Sequence, residues 1–244
     1  DYVLKKIAVF FKKSNPKIKP VIVFHAAEPL LVKGIIWKAI TEFKDTFYFG
    51  IQTNALLLEK KDVKFLKEHG VGVGISLDSS DIAVNNRQRV NRRGSGNFDK
   101  AVRAIEWFDG YEGLNVICTV IKFNVEGLEK LVEFLHSKKV GCVLLNPVRL
   151  TREASWDLAP DQKVLTKSFI AAVEKAIELS KISKRRIIIG NFANIILGIV
   201  APTARRLMCD ISPCGGGRCF LTITASGNMI PCGEFIGLDG FSGG

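Results

Sequence analysis

Five short apolar runs mark the first 150 residues, and each ends in a polar or small-residue cluster before a helix-like pattern begins. The runs are 21–24 into His25-Ala26-Ala27-Glu28-Pro29, 47–51 into Gln52-Thr53-Asn54, 71–75 into Ser76-Leu77-Asp78, 115–121 into Lys122-Phe123-Asn124, and 141–145 into Asn146-Pro147-Val148-Arg149. Runs of this length and β-branched content predict strands, whereas apolar positions three and four apart predict the helices between them. The pattern reads as helix 1–13, strand 21–25, helix 31–44, strand 47–52, helix 60–69, strand 71–77, helix 97–109, strand 114–121, helix 125–138, strand 140–146 and helix 161–181. Strands alternating with helices require parallel pairing through right-handed crossovers. All strand ends then lie on one rim, which in β/α barrels and open α/β sheets is the ligand-binding rim.

Stop and start signals support these elements. Asn124 is placed to cap a helix carrying Leu128, Leu131, Val132 and Leu135 on one face, and Pro160 suits the first turn before Leu165 and Phe169. Gly70 closes the helix before the third run. After about residue 184 the pattern changes. A short strand is expected over 186–190, a helix or loop over 192–200, and a hairpin of 220–224 and 228–231 turned by Ala225-Ser226-Gly227. We place a domain boundary near 205, giving a body of 1–204 and a cysteine-rich extension of 205–244.

Composition narrows the class. The 244 residues are 47% hydrophobic and 24% charged, as in a globular chain rather than a disordered one. The longest apolar patch, 195–201, is far shorter than the roughly 20 residues that a spanning helix needs. The net charge of +11 favours an acidic partner, but the basic residues are scattered in short pairs, which argues for solvated faces over nucleic-acid binding. Asp1 and Gly244 read as cut ends of a longer polypeptide. Six cysteines in a chain with this much core do not form a secreted disulfide scaffold, and a reducing cytoplasm suits them. Cys118 and Cys142 fall within strand patterns and read as buried residues.

Several motifs compete for the chemistry. Gly70-Val71-Gly72-Val73-Gly74 is not a dinucleotide fingerprint, because it leads into a strand rather than out of one. The stretch 87–96, with Arg87, Arg89, Arg92 and Arg93, reads as a basic loop able to hold an anion with one arginine. His25 and Glu28 form a polar pair at a strand end that suits a small ligand better than a metal. Cys209, Cys214, Cys219 and Cys232 carry the strongest signal, since thiolates gathered from a tight loop and a hairpin hold iron–sulfur clusters or structural zinc.

Together these features resemble radical S-adenosylmethionine (SAM) enzymes with a SPASM-type C-terminal extension, close to maturases of ribosomally made peptides. The likeness covers about residues 20–150 and 209–236. It rests on Phe24-His25-Ala26-Ala27-Glu28-Pro29, which is similar to the family's Gly-Gly-Glu-Pro stretch, on Ile51-Gln52-Thr53-Asn54, on Ile75-Ser76-Leu77-Asp78 with Arg89-Val90 beyond it, and on the Cys214, Gly227, Cys232 spacing. The resemblance implies an α/β fold: a partial (β/α)6-type barrel lacking its first strand, followed by a small Cys-rich β-hairpin extension. It implies SAM and [4Fe–4S] clusters as cofactors, a peptide or protein substrate, and hydrogen abstraction by a 5′-deoxyadenosyl radical. By motif position, His25, Ala26, Ala27 and Glu28 would receive the methionine amino group, with Asn54 on the same rim. Ser76 and Arg89 would hold the ribose or carboxylate. Cys209, Cys214 and Cys232, with Cys219 as a further candidate, would ligate an auxiliary cluster.

This chain departs from the family in several places. The Cys-x3-Cys-x2-Cys loop of the radical-forming cluster is absent from these residues and is expected upstream of Asp1. Ala26, Ala27 and Ser79 replace customary glycines, and Gly233 stands where sulfatase-maturing relatives carry a candidate acid/base Asp, which disfavours that subclass. The alternative reading is a non-catalytic barrel relic that binds peptide or a Cys-bound metal only, and a zinc-binding protein is a third class.

Overall fold

The computed structural model describes residues 2–14, 17, 19–25, 27–91, 94–150, 153–202, 207, 214–238 and 240–241. Two compact units divide the chain, Asp1–Ile189 and Gly190–Gly244. The sequence places the change of pattern after 184 and the boundary near 205; helix α9 (Gly190–Val200) groups with the second unit.

The first unit is a six-stranded parallel sheet in sequential order: β1 (Val21–Phe24), β2 (Tyr48–Thr53), β3 (Gly72–Ser76), β4 (Leu114–Val120), β5 (Cys142–Pro147) and β6 (Ile188–Ile189). Its helices are α1 (Tyr2–Ser14), α2 (Lys33–Phe43), α3 (Lys60–Glu68), α4 (Ile82–Gln88), α5 (Phe98–Phe108), α6 (Leu128–Ser137), α7 (Glu153–Trp156) and α8 (Gln162–Ser183). With strand order equal to chain order, right-handed crossovers put the connecting helices on one side of the sheet. Side-chain alternation agrees. Phe49, Ile51, Val73, Ile75, Val116, Cys118, Val143 and Leu145 are buried, while Gly50, Gln52, Ser76, Asn115, Ile117, Thr119 and Leu144 on the opposite face are not fully covered. The core therefore lies between sheet and helices, closed by Ile40, Leu66, Ile105, Phe108, Leu128, Leu131 and Leu135.

Most elements fall where the hydrophobic pattern puts them, and the exceptions have physical causes. Residues 82–88 are helical: Asp81 accepts from the N–H groups of Ala83 and Val84, an N-cap at the head of a segment whose polar composition reads as loop. Asn124 precedes a single 3-10 turn, Val125–Gly127, before α6, and its side chain caps no helix. For α8 the side-chain cap is Asp161, bonding Lys163 N and Val164 N, so Pro160 stands one residue outside the helix. Gly70 adopts φ +62° after α3, the left-handed stop that a glycine permits. Cys118 is fully buried, whereas Cys142 is only half-buried because it occupies the sheet face opposite the helices.

In the second unit, β7 (Thr222–Ile223) and β8 (Met229–Ile230) pair antiparallel around Gly227, at φ +93°. Among the described residues, no helix is long and apolar enough to cross a membrane.

Candidate functional site at the strand ends

The C-terminal ends of β1 to β4 are joined by one continuous set of buried and half-buried polar groups. It begins after β1. Glu28 caps the 3-10 turn Pro29–Val32, with Oε1 accepting from Leu30 N (3.1 Å) and from the Thr53 hydroxyl (2.7 Å). Its Oε2 accepts from Asn54 N at 2.8 Å, tying the loop after β1 to the end of β2. Asn54 closes its own Asx turn by accepting from Leu56 N, and its carbonyl accepts from Asn97 Nδ2. The same Asn97 amide donates to the carbonyl of Ser76 at the end of β3, while its Oδ1 accepts from Asn85 Nδ2. Asn85 Oδ1 in turn accepts from Asp78 N.

Asp78 is the hub of the far end. The residue is 2% exposed. Oδ1 accepts from Arg89 Nη2 (3.0 Å) and Thr119 N (2.8 Å), and Oδ2 lies 2.6 Å from Arg89 Nε and 3.4 Å from Gln88 Nε2. The carbonyl of Asp78 accepts from Asn124 Nδ2, which also bonds the Thr119 carbonyl, while Asn124 Oδ1 accepts from Ile121 N. Cys118 Sγ donates to the same Asp78 carbonyl at 3.5 Å. Burial first, then the Asp78 charge, push the Cys118 thiol well above its usual range, with Arg89 opposing. It is a protonated core residue, not a nucleophile.

Of the residues singled out in the sequence, Glu28, Asn54, Ser76 and Arg89 are therefore linked through Asn97, Asn85 and Asp78. His25 directly follows β1 and is exposed; Ala26 lies outside the described residues. Ala27 adopts φ +46°, the left-handed backbone that a glycine would take without penalty, so the alanine keeps the turn at a cost of roughly 1–2 kcal/mol. Ser79 is buried, and its hydroxyl accepts from Asp81 N. Asp78 stands in the quoted strand-end motif but signals no role there, and Asn85 and Asn97 are invisible to periodicity. A polar residue at a helix start is the one available hint for Asn97.

A cavity of about 430 Å³ opens beside this network, lined by Asp78, Arg87, Gln88, Arg89, Thr119 and Phe123 with apolar Ile121, Val148 and Leu158. At its mouth the Arg87 guanidinium sits 3.8 Å over the ring of the exposed Phe123. Gln88 Oε1 is buried without a protein partner, as is Asn115 Oδ1 on the open face of the sheet. Of the two, only Gln88 belongs to the cavity lining, where its oxygen suits a donor from a ligand. Gly74 keeps the same face low, since a Cβ there would fall 2.7 Å from Ile117 Cδ1 and 3.2 Å from Asn115 Oδ1.

Of the four late cysteines, Cys209 lies outside the described residues. Cys214 and Cys219 are exposed and Cys232 is half-covered. Cys214 and Cys232 flank Gly216: its N–H donates to Cys214 Sγ at 3.4 Å, and a Cβ on it would lie 3.6 Å from Cys232 Cβ. Among the described residues, no three His, Cys, Asp or Glu side chains converge as a metal site.

Comparison with known proteins accords with this architecture. An uncharacterized protein of Archaeoglobus fulgidus is 49% identical over 220 residues, covering 90% of this chain and 51% of the relative. A cysteine-type anaerobic sulfatase-maturating enzyme of Clostridium perfringens is 24% identical over 230 residues, covering 87% of this chain and 59% of that enzyme. The chain thus spans between half and three fifths of the curated relatives it matches. Among solved structures, native anSMEcpe with bound AdoMet and Cp18Cys peptide superposes with a TM-score of 0.81 at 21% identity, over 99% of this chain and 68% of that one. The fold is therefore shared with that protein. The pattern of the radical SAM superfamily matches residues 3–135, more than half of the sequence, and the chain belongs to that superfamily.

Proposed function

We propose that this chain forms the SAM-binding body of an enzyme that modifies a peptide or protein substrate by radical chemistry. The observation that carries the reading is the hydrogen-bonded series from Glu28 to Arg89, which fixes four strand ends at one rim before any ligand arrives. Such preorganisation is worth little to a passive scaffold and much to a site that must hold a reactive group in one pose.

The residues present fit SAM. The orphaned acceptor that lines the cavity, Gln88 Oε1, would take one of its hydroxyl or amino donors. Arg89 meets its carboxylate, and the loop of His25 and Ala27 receives its amino group. Both Glu28 oxygens already serve protein donors, so Glu28 shapes that loop in addition to any ligand contact. When bound and reduced, SAM supplies a carbon-centred radical that removes a substrate hydrogen atom. The protein's own share is to bind, orient and exclude water, and the apolar wall of Ile121, Val148 and Leu158 serves the last purpose.

The thiol loop of a radical-forming cluster is not among these 244 residues, and no step is assigned to this chain through that cluster. Cys209, Cys214, Cys219 and Cys232 are the candidate ligands of an auxiliary cluster, supported by the approach of Cys214 and Cys232 around Gly216. A peptide substrate is supported by the peptide-bound structural neighbour, and the cationic, aromatic mouth of Arg87 and Phe123 suits an acidic segment of it. Gly233 after Cys232 continues to argue against sulfatase maturation itself. The non-catalytic alternative loses ground at Ala27, where the backbone retains the glycine-like conformation despite the added methyl. The deciding experiment is anaerobic iron–sulfur reconstitution of the full-length protein with reductant and SAM. Formation of 5′-deoxyadenosine is expected; an iron-loaded sample that never produces it overturns the proposal.

A further inference from the structure

We infer that Asp78 is a positioning residue whose carboxylate holds Arg89 side-on, so that the end of the guanidinium presents a fixed fork to a ligand carboxylate in the 430 Å³ cavity. The inference rests on the reading of that cavity as part of the SAM site, and it concerns how the clamp is oriented.

A guanidinium has two edges that can receive a carboxylate bidentately, one made of Nε and Nη2 and one of Nη1 and Nη2. In Arg89 the first edge faces Asp78: Nη2 donates to Oδ1 at 3.0 Å, and Nε stands 2.6 Å from Oδ2 in an ion pair without completing a hydrogen bond. The second edge bonds no described residue, and the side chain, 23% exposed, lines the cavity. Asp78 cannot turn away to release it. Its Oδ1 is shared with Thr119 N of β4, its N–H is bound to Asn85, and its carbonyl is bound to Asn124. An arginine on a four-bond stem otherwise samples many rotamers, and ordering it at the moment of binding costs affinity. A buried ion pair contributes little net stability relative to an apolar pair of the same shape, so orientation is what this one supplies.

The charge of Asp78 acts in the opposite direction. As a second anion beside Arg89 it weakens the pull on a ligand carboxylate, and this gives the test its sign. The probes are SAM and decarboxylated SAM, which keeps the amine and sulfonium but lacks the carboxylate. Their dissociation constants are measured anaerobically by calorimetry on the iron-loaded full-length protein. Wild type is expected to prefer SAM. In Asp78→Asn, which retains an acceptor for Thr119 N, the preference falls by about tenfold, the scale of one lost charge-assisted contact. Binding of decarboxylated SAM stays within a factor of about two, the sense in which a generally loosened site would differ. An unchanged or increased preference would show Asp78 to be only a counter-charge, and an equal loss for both ligands would show it to be only structural. Either outcome overturns the inference. Arg89→Lys covers the case in which Asp78→Asn does not fold: it keeps the ion pair but has no second edge, and the preference must fall there too. If wild type binds neither ligand, the reading of the cavity has failed, and this inference with it.

Discussion

In the first compact unit, Asp78, Asn85, Asn97 and Asn124 are each at most 3% exposed, and each is saturated by protein partners against a core running from Leu30 to Ile189. In the second unit, the described core reduces to Ile230, the strands are two residues long, and two of the three described thiols face solvent. The first region supplies its own geometry, because apolar burial offsets the entropy of ordering those side chains. The described residues of the second bury too little to do so, and small units of that kind draw their order from metal or cross-links. Under the proposed function, the first site is shaped before its ligand arrives, while the cysteines would take their arrangement from a cluster.

The sharpest way to break this contrast is to load and strip the cysteines. Iron–sulfur reconstitution is expected to protect Gly190–Gly244 from limited proteolysis while leaving cleavage of the first unit unaltered, and chelation or Cys214→Ser with Cys232→Ser is expected to reverse the protection. Mass mapping of the fragments reads the result. Identical digestion with and without iron would remove the distinction between the two regions.

A smaller effect tests the self-sufficiency of the first unit. Asn97→Ala removes the bridge between the carbonyls of Asn54 and Ser76 and the partner of Asn85, and is expected to cost about 2–3 kcal/mol by denaturant titration. A loss below about 0.5 kcal/mol, the scatter of ordinary surface substitutions, would mean that water replaces the bridge and that the strand ends are not fixed by it. The smallest expected effect is a gain. Ala27→Gly relieves the left-handed φ of +46° and should raise stability by up to about 1 kcal/mol, offset in part by a more flexible unfolded chain. A less stable variant would reveal a packing role for the Ala27 methyl group.

Much of the fold is legible because its causes are local. Alternation at 71–75, apolar spacing over Leu128, Leu131, Val132 and Leu135, and the glycine at 70 each act within a few residues of themselves. Where local signals compete, the reading slips: Asn124 resembles a helix cap by position, yet its amide crosses 46 positions of sequence to the Asp78 carbonyl. Residues 82–88 look like loop because their composition is only weakly apolar, yet they are helical because the Asp81 cap outweighs it.

The sequence alone determined the alternation of strand and helix, and therefore that the run-terminal clusters share one rim; short-range periodicity and handedness are sufficient for that. Only the tertiary structure decided which polar groups on the rim hold one another. Hydrogen bonds between Asn97 and Asn54, 43 residues apart, or Thr119 and Asp78, 41 apart, exist only once strand register has been set by burial of the opposite face. A hydrogen bond is directional over a few tenths of an ångström, and no pattern along the chain specifies position that finely.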